Sequence, residues 1–105
     1  MNGKMNKMMK QVQKMQEEMA KVQEEVGQKT VEATSGGGAV KVAANGRKEV
    51  VELLIDPEVL KEEEAEMIQD LILSAVNEAL HKVDTMVEEE MKKVTGGLNL
   101  PPGLF

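Results

Sequence analysis

The sequence predicts an α+β fold, a small antiparallel sheet flanked by two long helices. Three observations carry that reading. Residues 36–60, GGGAVKVAANGRKEVVELLIDPEVL, are the stretch with strand-like alternation. Within it, Asn45-Gly46 is a strong short-range hairpin signal, because a two-residue type I′ turn needs φ > 0 at both central positions. On either side, residues 5–26 and 63–94 repeat apolar side chains at helical spacing.

In the first helical stretch Met5, Val12, Met19 and Val26 are seven apart, and Met8, Met15 and Val22 each follow three after. This is an a/d seam of about three heptads. Gln, Lys and Glu fill the other positions and favour helix, and Gly27 is the expected stop. Residues 29–34 alternate, with Val31 and Ala33 on one face, and Ser35 to Gly38 make a flexible connection. A turn at Asn45-Gly46 sets Val40 opposite Val51 and Val42 opposite Glu49. Alternation then puts Val40, Val42, Ala44, Val51, Leu53 and Ile55 on one face. Lys41, Ala43, Lys48, Val50, Glu52 and Leu54 share the other.

Asp56 suits an N-cap and Pro57 the first helical position, so residues 58–60 should make one short turn. The long helix, from about Glu63 to Val94, begins with a wide apolar stripe: Ile68, Leu71, Ile72, Ala75, Val76, Ala79, Leu80 and Val83. Beyond it the stripe narrows to Val87, Met91 and Val94, with Met86 alongside. A rise of ~1.5 Å per residue makes the helix about 45 Å long, so part of it should project, with the first helix as companion. Gly96-Gly97 is the expected end. One domain is expected over 1–105: arm helix 1–27, sheet 29–56, long helix 63–94 and an extended tail 95–105.

The chain has 105 residues, a single ring (Phe105), nine Met and no Cys. A core of Val, Leu, Ile, Ala and Met yields little buried area per side chain, which favours burial by oligomerisation. A symmetric homodimer is the simplest closed solution. Val50, Leu54, Leu71, Ala75 and Val76 are its expected interface. No apolar run approaches ~20 residues and no signal-peptide pattern opens the chain, so a soluble cytoplasmic protein is expected. His81 is the sole histidine, and the serines are Ser35 and Ser74. Gly36-Gly37-Gly38 lacks the Lys-Ser/Thr of a phosphate loop. Glu62, Glu63, Glu64 and Glu66 suit a dipole-complementing first turn. No enzyme, metal or cofactor is expected.

A net charge of −6 argues against nucleic acid, but its distribution does not. Lys4, Lys7, Lys10 and Lys14 come before the first acid, Glu17. By composition, that row suits nucleic-acid contact and plain solvation equally.

These residues resemble the YbaB/EbfC family of bacterial nucleoid-associated DNA-binding proteins. The likeness rests on MMKQVQKMQEEMAKVQEEV in the first helix and on the glycine-rich hairpin with its V-K-V strand, Asn-Gly and I-D-P-x-x-L. It continues through IQDLILSAVNEALHKV and the GGLNLPPGLF tail. His81 stands where members often have Arg. The resemblance implies an intertwined homodimer with projecting helical arms. It also implies duplex DNA as partner and a role in nucleoid organisation and gene expression, without catalysis. In that family binding is attributed to the arm helices, which here points to Lys4, Lys7, Lys10 and Lys14, with Lys92 and Lys93 second. Lysine suits phosphate contact rather than base readout, and the lack of aromatics disfavours single strands. Duplex binding of low sequence specificity follows. The alternatives are a holdase-like helical module of prefoldin design, which open Met seams would favour, and a structural scaffold.

Overall fold

Strand alternation in the middle of the chain and helical spacing at both ends produce the expected element order. The computed structural model describes residues 3–98. Helix α1 spans Gly3–Gln28, β1 Thr30–Ser35, β2 Val40–Asn45, β3 Val50–Ile55, α2 Pro57–Glu62 and α3 Ala65–Leu98. The strands form one antiparallel sheet with β2 central. Asp56 caps α2 as expected: its side chain accepts a hydrogen bond from the Glu58 amide at 3.0 Å, and Pro57 follows at the first turn. Helix α3 does not stop at Gly96-Gly97 but runs through both to Leu98, so the extended tail expected from residue 95 is helical in its first four residues. Its remainder, 99–105, lies outside the described residues.

The β2–β3 turn differs from the expected two-residue hairpin. Val40 pairs with Ile55 and Val42 with Leu53, a register four residues away from the predicted one. The shift is even, so Leu53 and Ile55 keep their expected face, as do Glu52 and Leu54. The connection is instead a longer loop closed by Asn45. The Asn45 amide donates to the Glu49 carbonyl at 2.9 Å, and its Oδ1 accepts from the Arg47 and Glu49 amides at 2.9 and 3.1 Å. The left-handed residue is Lys48, at φ +63°, not Gly46. A bulge at Val51 then sets Val50 opposite Ala44, which moves Val50 to the side of the sheet that faces α3.

The core is a single helix-on-sheet contact. Ala75, Ala79 and Val83, at i, i+4 and i+8 on α3, pack against Ala33 of β1 and Val40, Val42 and Ala44 of β2, all essentially inaccessible. Two polar contacts fix α3 along β1. The Ser35 hydroxyl donates to the Leu71 carbonyl at 2.6 Å and the Lys82 ammonium to the Glu32 carbonyl at 2.8 Å. Gly36, Gly37 and Gly38 turn the chain between β1 and β2 at positive φ. At Gly36 a Cβ would also come within 2.9 Å of a Leu71 methyl. Strand β3 receives such cover only at Ile55, and Val51 and Leu54 are 55% and 52% exposed.

The molecule is elongated, 75 × 20 × 17 Å. Its radius of gyration, 20.3 Å, compares with about 13 Å for a compact domain of this length. The arm α1 causes this. Every residue from 3 to 14 is exposed, Met15, Met19 and Val22 are partly buried, and Val26 and Gly27 are buried.

The β2–β3 loop anchors the arm's base. The Gly46 amide donates to the Lys29 carbonyl at 3.0 Å, and the Gly46 backbone lies directly against the end of α1. A Cβ at Gly46 would overlap the Val26 carbonyl, with its carbon at 2.7 Å. Gly46→Ala should therefore lower stability by about 1–3 kcal/mol, the usual cost of forcing extra bulk into a packed site. Its midpoint in a urea titration measures this, and an unchanged midpoint would show that the loop does not bear on α1.

Candidate nucleic-acid interface

The arm's charge is set by what its first turns lack. Helices usually carry Asp or Glu near the N-terminus, where the macrodipole is positive. The first turn of α1 has none, and Lys4 follows directly. A rise of ~1.5 Å per residue spaces Lys4 to Lys14 over about 15 Å. Their ~100° steps keep Lys7, Lys10 and Lys14 within an arc of about 60°, with Lys4 beside it. Met5, Met8, Met9 and Val12 occupy the roughly opposite face. All four lysines are exposed, and none has a carboxylate within ion-pair distance among the described residues. Fifteen ångströms of duplex axis carry about four phosphates per strand, so the row has the length and sign of a phosphate-backbone contact.

Most lysines nearer the body are engaged. Lys92 lies 3.6 Å from Glu88 and Lys93 3.4 Å from Glu90, so the two expected contacts on distal α3 sit in ion pairs on an acidic segment. Lys48 pairs with Asp84 at 2.6 Å and Lys41 with Glu32 at 3.3 Å. Sequence reasoning did not single out Lys29 or Arg47. Lys29 bonds Glu90 at 2.8 Å, tying the foot of the arm to α3. The Arg47 side chain lies over Gly27, a cation at the negative end of the arm helix. The spacing of α1 gave no sign of either, because both depend on the loop docking there. His81 is exposed on α3. Among the described residues no group of three His, Asp or Glu side chains is placed to hold a metal ion. No described helix is long and apolar enough to cross a membrane.

The expected interface residues fall into two sets. Val50 and Leu54 are exposed on β3, and Leu71 and Val76 are partly covered. Ala75 is fully buried in the chain's own core, so it has no surface to offer a partner. Its place in the apolar stripe was legible, but the face it occupies is the one α3 turns to its own sheet.

The Lys29–Glu90 contact makes the arm's attachment pH-dependent. The hydrogen bond from Lys29, with the charges of Lys29 and Lys93, holds the Glu90 carboxyl below its ordinary 4.5, against the opposing effect of burial. A depressed carboxyl contributes stability above its unfolded value and loses it as pH falls through the folded one. Hydrogen exchange at the foot of α1 should therefore accelerate as pH drops below 4.5, after correction for intrinsic rates, and Glu90→Gln should remove that component. Equal acid sensitivity in both proteins would locate the effect elsewhere.

The comparisons with known proteins agree with this geometry. Residues 1–98 match the model of the YbaB/EbfC DNA-binding family. A protein of Pelotomaculum thermopropionicum named nucleoid-associated protein is 60% identical over 105 residues, covering 100% of this chain and 99% of that one. One of the same name from Moorella thermoacetica is 61% identical over 99 residues, 94% of this chain and 95% of the relative. The crystal structure of an uncharacterized Helicobacter pylori protein, HP0035, superposes with a TM-score of 0.66 at 28% identity, over 89% of this chain and 94% of that one. With the element order, the hairpin and the basic arm all in place, the chain belongs to the YbaB/EbfC DNA-binding family.

Proposed function

We propose that the protein is a nucleoid-associated protein that grips duplex DNA with the lysines of its arm and reads little sequence. The observation that carries this is the row Lys4, Lys7, Lys10 and Lys14, exposed, acid-free and without an ion pair among the described residues, on a helix that projects from a body of net negative charge. Family membership and the names of its relatives supply the partner and the nucleoid location. Lysine ammonium groups contact phosphates without orienting on base edges, so binding is electrostatic and tolerant of sequence. The acidic remainder repels the duplex and confines contact to the arm. Lys92 and Lys93, neutralised by Glu88 and Glu90, contribute less. No catalysis is part of this reading.

The acting unit is a homodimer. Strand β3 leaves Val50, Val51, Leu53 and Leu54 43–55% exposed at a sheet edge, where open backbone groups and apolar side chains invite a second copy. Two copies present two basic arms to one duplex. Leu54→Asp places a charge in that contact, at a cost of several kcal/mol if it stays buried. Sedimentation equilibrium should show wild type as a dimer at low micromolar concentration and the variant dissociated. A folded wild-type monomer would refute the dimer.

A salt titration tests the grip. Each neutralised phosphate contributes a slope of about −0.9 in log K against log salt. With both arms engaged, Lys7→Glu/Lys14→Glu should flatten the slope by about 3–4 units and weaken all duplexes alike. The fold should survive, since both positions are exposed. Fluorescence anisotropy across a salt series reads the effect, and wild-type affinity and slope in the variant would reduce the row to a solvated face.

The exposed methionines favour a second reading. Met5, Met8 and Met9 are 58–63% exposed, and flexible thioether side chains suit the capture of unfolded chains. In that case the arm suppresses aggregation of a heat-unfolded test protein, and the lysine reversals leave the suppression intact.

A further inference from the structure

The β2–β3 loop needs a glycine at position 46 for the arm to seat. A Cβ there would overlap the Val26 carbonyl and lie 3.0 Å from the Gly27 Cα. The residue before it is Asn45. An asparagine followed by glycine can close a ring on itself, because no side chain shields the next backbone nitrogen from the amide carbon. Packing thus obliges the chain to keep a chemically labile pair at the foot of its arm.

The Asn45 side chain is already polarised for that reaction. Its Oδ1 accepts from the Arg47 and Glu49 amides at 2.9 and 3.1 Å, and its Nδ2 donates to the Glu49 carboxylate at 3.2 Å. Two backbone N–H groups on one carbonyl oxygen are a donor set that stabilises the oxyanion formed when the carbonyl carbon is attacked. What the fold withholds is the nucleophile. The Gly46 amide donates to the Lys29 carbonyl at 3.0 Å. Lys29 is itself held twice, by its amide to the Val26 carbonyl at 3.1 Å and by its ammonium to Glu90 at 2.8 Å. Attack requires the Gly46 nitrogen to give up its proton, so the bond to Lys29 must open first.

We propose that Asn45 is a self-modification site, kept closed while the foot of α1 is seated and converted to isoaspartate when the foot lets go. The Gly46 nitrogen bonds to the Asn45 Cγ, the Cγ–Nδ2 bond breaks, and Nδ2 leaves as ammonia carrying the Gly46 proton. Water then opens the cyclic imide at either carbonyl, giving aspartate or isoaspartate. Isoaspartate routes the backbone through the side chain and adds a methylene where Gly46 touches Val26 and Gly27, a place with no room for one more carbon. A transient release of the arm thus becomes a lasting one. The reaction needs neither DNA nor a second copy.

The full chain is incubated in mildly alkaline buffer, and peptide mapping by mass spectrometry follows Asn45 separately from the sequence's other Asn-Gly pair, Asn2-Gly3. The rate scales with the fraction of molecules whose foot is open, so Asn45 should react about tenfold or more slowly in the native chain than in the chain unfolded in urea. Glu90→Gln and Lys29→Ala break the Lys29–Glu90 bond from either end, and each should raise the native rate by about two- to fivefold while leaving the unfolded rate unchanged. The isolated isoaspartyl form should exchange the amides at the foot of α1 about tenfold or more faster than fresh protein. Equal rates in native and unfolded chains overturn the proposal. So do native rates that neither variant moves, and an isoaspartyl form that exchanges like fresh protein.

Discussion

A helix is about 10–12 Å across, and strands lie about 4.8 Å apart. One helix therefore covers about two strands, and this sheet has three. Helix α3 lies over β1 and β2, where Ala75 and Ala79 bring it close to Ala33, Val40, Val42 and Ala44. Strand β3, apart from the partly covered Ile55, stays open on both faces. Most of the protein's other properties follow from this shortfall. The core lacks aromatic bulk, and the sheet ends in an apolar edge.

The same economy separates the arm from the body. Helix α1 is anchored at its foot, through the β2–β3 loop, the Arg47 side chain over Gly27 and the Lys29–Glu90 bond. The loop's close approach at Gly46 leaves no room for a side chain, so the arm leaves the body from one fixed point. A lever of this kind carries its charge well away from the acidic body. A protein of net charge −6 can thus present a locally basic surface, because at physiological ionic strength charges more than ~8 Å apart are largely screened from one another.

The pairing of the lysines sharpens this division. Five lysines near the body, Lys29, Lys41, Lys48, Lys92 and Lys93, each face a carboxylate, while among the described residues the four at the head of the arm face none. Their sequence neighbours explain it. Residues 3–14 contain no acid, so no i, i+3 or i, i+4 partner is available to the first three, and the helix projects too far for an acid of the body to reach. Opposite them runs the Met stripe, so the arm has a charged face and an apolar face.

Local chemistry was enough to fix the elements themselves. Heptad spacing marked α1, Asp56-Pro57 marked the start of α2, and the wide stripe from Ile68 to Val83 marked the part of α3 that packs on the sheet. The family, too, was legible in the order of motifs, and the lysine row in plain charge counting. Tertiary contact decided the rest. Asn45-Gly46 reads as a two-residue turn, but Gly46 is needed where the loop meets α1, so the chain closes a longer loop through Asn45 and sets β3 four residues away from the local expectation. Ala75 belongs to a stripe that sequence can outline but not orient, and the sheet claims it. Periodicity states which residues share a face. Which face meets which neighbour depends on contacts between residues far apart in the chain, and no local pattern encodes those.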